Sequence, residues 1–64
     1  MTPAQFKAAR DKLGLSQADL AAIWGMGHAS GLARIGRWER GIHPIDPIAA
    51  YAIEMMLQQQ EQPQ

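Results

Sequence analysis

The chain has 64 residues, six basic side chains balanced by six acidic ones, and no cysteine. A chain of that length makes one small domain with a limited core, and without cysteine it holds neither a disulfide nor a cysteine-based metal site. Its longest apolar run, near residues 48–57, is far short of a membrane span, and no basic segment followed by an apolar one marks a signal peptide. A soluble cytoplasmic protein is expected.

The zero net charge hides a polarity. Residues 1–26 carry Lys7, Arg10 and Lys12 against Asp11 and Asp19, and residues 27–45 carry Arg34, Arg37 and Arg40 against Glu39 alone. Residues 46–64 have only Asp46, Glu54 and Glu61. Basic charge is therefore gathered in the first two thirds of the chain, the distribution expected of a nucleic-acid binder whose arginines share one face.

Taken in order, Thr2-Pro3-Ala4-Gln5 reads as a cap, a proline at the first helical position and a glutamine three residues after the cap. The helix it opens should run to Lys12 or Leu13 and stop at Gly14. Phe6, Ala9 and Leu13 form its inner stripe, with Arg10 at the margin. Ser16-Gln17-Ala18-Asp19 starts a second helix in which Leu20, Ile23 and Trp24 follow at helical spacing before Gly25.

Residues 25–31 hold three glycines and read as a break. The pattern resumes from Ser30, a good cap, through Arg40, and Gly41 closes it. At 100° per residue, Leu32, Ile35 and Trp38 share one face of this third helix, while Ser30, Ala33, Arg34 and Arg37 share the other. Glu39 falls on the inner side, an expensive place for a carboxylate unless it is paired. Arg10 has the opposite sign and a matching position on the first helix, so the two are expected to form a structural ion pair.

Asp46-Pro47 opens a fourth helix, roughly residues 47–59, that is apolar almost all round with Glu54 as the interruption. Such a helix needs burial on more than one side. One side should cover Leu13, Ile23 and Trp38 of its own chain, leaving Ile48, Tyr51 and Met55 for a second copy. The expected organisation is a single domain over residues 1–58, ending in a dimerisation helix, and a flexible tail over 59–64.

Two short helices with a tight joint and a third with a basic face are the ingredients of a helix-turn-helix. The run Leu13-Gly14-Leu15-Ser16-Gln17-Ala18-Asp19-Leu20-Ala21, then Gly25, then Ile35-Gly36-Arg37-Trp38-Glu39-Arg40-Gly41 resembles the Cro/lambda-repressor-like, or XRE-type, family. The resemblance covers residues 4 to about 45 and implies an all-α fold of four, or five, packed helices that binds double-stranded DNA in the major groove. It implies that Gln17 touches a phosphate and braces the recognition helix, that Arg37 reaches base edges, and that Ile35 and Trp38 belong to the core. It also pairs the positions of Arg10 and Glu39. Arg40, at the helix end, is expected to meet a phosphate.

One departure from the family bears on the contacts. Nine residues, Met26–Arg34, separate Gly25 from Ile35, more than the family usually has. Either the turn is longer, with the helix beginning after Ser30, or the helix itself begins near His28. The first is favoured because Gly31 is a poor interior residue. Counting back from Ile35 puts Leu32 and Ala33 at the base-facing positions, with Ala33 the better thymine-methyl contact; counting forward from Gly25 puts His28 and Ala29 there instead. The candidate DNA contacts are accordingly Gln17, His28, Ser30, Ala33, Arg34, Arg37 and Arg40. The expected function is a repressor binding an inverted-repeat operator as a homodimer. The competing expectation is an antitoxin-like module whose apolar fourth helix binds another protein. No paired carboxylates, phosphate loop or metal-ligand spacing points to an enzyme, a cofactor or a metal.

Overall fold

Local chemistry starts three of the four helices among the described residues. The Thr2 hydroxyl accepts from Gln5 N at 3.1 Å while Thr2 N donates to Gln5 Oε1 at 2.8 Å, a reciprocal cap that opens α1 (Pro3–Lys12). Ser16 and Asp19 exchange the same pair of bonds, both at 3.0 Å, and open α2 (Gln17–Ile23). Asp46 Oδ1 accepts from Ile48 N at 2.8 Å ahead of α4 (Pro47–Glu61). Between them lies α3 (His28–Glu39), whose cap, Gly27, has no side chain to offer. The computed structural model describes residues 1–61, and no strand occurs among them. Gly14, Gly25 and Gly41 end the first three helices with φ near 70°, the left-handed turn that glycine adopts without strain.

One side chain from each helix makes the centre of the core. Phe6, Leu20, Ile35 and Ile53 are fully buried, each removal from water stabilising the fold by about 1.5–3 kcal/mol. Phe6 meets Trp38 edge-on at 5.7 Å between ring centres and Trp24 at 6.3 Å, which ties α1 to α3 and to the end of α2. The ends of α1 and α4 are tied by Lys12 Nζ to Glu61 Oε1 at 2.7 Å and by Gln60 Nε2 donating to Lys12 O at 3.1 Å.

Four expectations from the sequence need correction. First, α3 begins at His28 and not after Ser30: Gly31 N donates to Gly27 O at 2.6 Å, inside the first turn. The extra residues lengthen the helix, and the joint is only the four residues Trp24–Gly27. Gly31 sits in the helix interior because a Cβ there would lie 2.7 Å from Ala21 Cβ, so the α2–α3 approach depends on its absence. Second, Ile23 is 56% exposed. The buried side of the short α2 runs through Leu20 and Ala21, and Ile23 points away from it, so α4 does not cover it. Third, α4 continues to Glu61 where a tail was expected from residue 59, held by the Lys12 contacts; residues 62–64 of that tail lie outside the described residues. Fourth, Met55 is half-buried, whereas Ile48 and Tyr51 are exposed as their position on the outer side suggested.

Candidate nucleic-acid interface

The joint between α2 and α3 is built from small residues. Ala21 faces Gly31, and Met26 N reaches back to Ala21 O at 2.9 Å, so the chain reverses closely after Gly25. Close packing on this side fixes which side of α3 faces away. Ile35 and Trp38 point inward with the buried Gly31, while Ala29, Ser30, Ala33, Arg34 and Arg40 are exposed and Arg37 partly so. At helical spacing Ala29, Ala33, Gly36, Arg37 and Arg40 follow one another along the outward line.

The inward end of α3 holds a closed polar network. Arg10 Nε donates to Glu39 Oε2 at 2.7 Å and Arg10 Nη2 to Glu39 Oε1 at 2.9 Å, a two-pronged pair with side chains only 10% and 5% exposed. Arg10 Nη1 donates to Leu15 O at 2.8 Å, and Gln17 Nε2 donates to Glu39 Oε1 at 3.1 Å. Burial alone would raise the Glu39 carboxyl, but the hydrogen bonds from Arg10 and Gln17, with the attraction of Arg10, hold it below its ordinary value. The hydrogen bond to Glu39 raises Arg10 against the opposing effect of burial. Three helices meet here: the pair locks α1 to α3, and Gln17 adds the start of α2. Nothing local singles out Leu15 O beforehand, and the exposed Asp11 Oδ1, 3.5 Å from Arg10 Nη1, adds a weaker ion pair.

The outward arginines are in the opposite condition. Neither Arg37 nor Arg40 makes a side-chain hydrogen bond among the described residues, and Arg37 Nε is the one buried side-chain polar atom there without a partner. Arg40 is the residue that caps α3, its backbone N bonded to Gly36 O at 3.0 Å. The longer helix puts His28, its first residue, and Ala29 on the exposed N-terminal turn, with Ser30 and Ala33 following. Both ways of counting the register are thus accommodated on one surface, and Leu32 alone turns partly inward. Ala29 joins the outward line although it was counted only under the less favoured register. Gln17 stands apart from this line, half-buried at the start of α2.

No group of histidine, aspartate and glutamate side chains among the described residues is placed to hold a metal ion. No helix among them is long and apolar enough to cross a membrane. A family model described as helix-turn-helix matches residues 6–60 of the chain. Neither the curated proteins nor the solved structures give a match.

Proposed function

Because the chain belongs to the Cro/lambda-repressor-like helix-turn-helix family and is thereby a DNA-binding regulator, we propose that it is a repressor that binds an inverted-repeat operator as a homodimer. The observation that carries this reading is the sorting of charge on α3. Its one acid, Glu39, is turned inward and neutralised, which leaves an outward face of Ser30, Arg34, Arg37, Arg40 and small alanines without a carboxylate. A face of that kind suits the floor and walls of the major groove, where phosphates attract the arginines and alanine methyl groups can meet thymine methyls. Arg37 reads a base, guanine O6 and N7 being the natural partners of its fork. Gln17 braces α3 through Glu39 and offers its second amide N–H to a phosphate. His28 and Ser30 serve the first turn of the reading helix. The protein acts in the cytoplasm, on double-stranded DNA, without cofactor or catalytic step.

Dimerisation rests on α4. Ile48 and Tyr51 are 78% and 66% exposed, and with Ala52 and Met55 they make a stripe at the i, i+3, i+4, i+7 spacing of a helix that packs against another. A module with so few cations holds DNA weakly by itself, and two copies joined rigidly gain by effective concentration. A twofold axis would set the recognition helices about 34 Å apart and the half-site centres about 10 bp apart. Sedimentation should show a dimer at tens of micromolar, and Tyr51→Lys, at a position 66% exposed on the stripe, should give a folded monomer. That variant should lose about 10²-fold or more in affinity for the full operator while keeping half-site binding. A wild-type chain that stays monomeric yet binds one half-site tightly would overturn the dimer; a partner protein captured by α4 instead would favour the antitoxin-like alternative.

A further inference from the structure

Gly36 lies on the outward line of α3 and is nevertheless buried. Apart from its chain neighbours Ile35 and Arg37 and the backbone of its own helix, the three atoms nearest to where its Cβ would stand belong to the Arg40 guanidinium: Nη1 at 3.0 Å, Cζ at 3.7 Å and Nη2 at 3.9 Å. What covers the glycine is therefore not another helix but the side chain one turn ahead, which folds back along the outside of α3. The direction is the ordinary one for a helical side chain, towards the N-terminus and over the residue four positions back. What is unusual is that the residue there has no side chain to keep the guanidinium away.

No charged group among the described residues holds Arg40 in this place. The one carboxylate of α3, Glu39, is already taken by Arg10 and Gln17. The guanidinium rests on a bare stretch of helix backbone, at the height of Arg37 along the helix axis and about 100° round from it, with its donors uncommitted. Glycine is the poorest non-proline residue for a helix interior. The other interior glycine, Gly31, has its reason in the contact with Ala21. At Gly36 the nearest atoms beyond its chain neighbours and its own helix backbone are instead those of Arg40.

We propose that Arg40 reads a base and that Gly36 is the specificity-determining residue that places it, so that α3 carries two arginines reading neighbouring positions of each half-site. This rests on the reading of α3 as the recognition helix, and it replaces the phosphate contact that the position of Arg40 at the helix end suggests. The Arg40 guanidinium lies back beside Gly36, along the line of α3 that this reading turns towards the base edges, and not out beyond the helix end. Its fork suits guanine, as that of Arg37 does.

The test separates charge from geometry. The base preference at every operator position is measured by quantitative binding to an operator selected from random sequence, with each base pair then changed in turn, for the wild type, Arg40→Lys, Arg37→Lys and Gly36→Ala. Lysine keeps the charge that a phosphate contact needs but loses the two-pronged fork that a guanine contact needs. Arg40→Lys should flatten one guanine preference about tenfold or more with the salt dependence unchanged, and Arg37→Lys should flatten a neighbouring one. Gly36→Ala should weaken the same position as Arg40→Lys, several-fold, because its methyl would stand 3.0 Å from Arg40 Nη1 and shift the guanidinium by a few tenths of an ångström; the helix itself gains from alanine, so thermal melting should not fall. An Arg40→Lys variant with every base preference intact would overturn the proposal, as would a Gly36→Ala effect spread evenly over all sequences. A wild type that selects no operator at all would instead defeat the DNA-reading function on which it depends.

Discussion

Arg10 and Arg37 carry the same guanidinium into opposite surroundings. Arg10 is 8% exposed and spends its donors inside the molecule, on both oxygens of Glu39 and on Leu15 O. Arg37 lies partly exposed across α3 with no hydrogen-bond partner and with its Nε shut away from water among the described residues. Leaving a buried donor unpaired costs about 1–3 kcal/mol, whereas a buried two-pronged ion pair is costly chiefly when one member is removed. The inner arginine is thus a fastening and the outer one a group kept available. α3 separates the two: its inner end is neutralised so that its outer face can be purely basic.

The difference is sharpest in what truncation should do. Arg10→Ala or Glu39→Ala leaves a buried charge without its partner, and either should lower the unfolding free energy in urea by about 3 kcal/mol or more. The double variant should lose less than the two single losses together, since the interaction can be lost only once. Strict additivity would mean that the pair does not fasten α1 to α3. Arg37→Ala should behave in reverse: folding stability should stay within about 0.5 kcal/mol of the wild type or rise, while operator binding falls by about 1–3 kcal/mol at one base position. If stability collapsed and base preference survived, the two arginines would have been assigned the wrong way round.

A smaller effect comes from acid. The folded state holds Glu39 below its ordinary value of 4.5, so the stability it contributes is present above that pH and is lost as pH falls through the depressed folded value. Asp19, lowered by its hydrogen bonds with Ser16, acts in the same direction. Glu39→Gln keeps the shape of the side chain and removes its titration, at the loss of one of the bonds from Arg10. Its stability should therefore fall less steeply than that of the wild type between about pH 5 and pH 2, followed by helix signal. Parallel acid limbs would show that Glu39 is not held as its partners imply.

The fastening was more legible in the sequence than the reading face was. Thr2 with Gln5, Ser16 with Asp19 and Asp46 before Pro47 each act within a few residues, so local chemistry alone announces three of the four helix starts. Arg10 and Glu39 could be paired because each interrupts an apolar stripe with opposite sign. The start of α3 depends on something no local rule contains: Gly31 is tolerated inside a helix only because Ala21, ten residues earlier, stands where its Cβ would go. Ile23 was misplaced for a related reason, since α2 turns through only seven residues and its inward direction is set by the seam with α3. The seat of Arg40 on Gly36 is a matter of side-chain conformation, which a helical wheel places on a face but does not direct.

We propose that the outward face of α3 meets DNA while the buried Arg10–Glu39 pair behind it does not. It is tested most directly by following backbone amide resonances as a selected operator duplex is added. The largest changes are expected along Ala29, Ser30, Ala33, Arg37 and Arg40, with a smaller set at the start of α2 around Gln17. The amides of Phe6, Arg10 and Ile53 should move little. Changes centred on Ile48, Tyr51 and Met55, with α3 unmoved, would contradict the account and place the contact on the fourth helix instead.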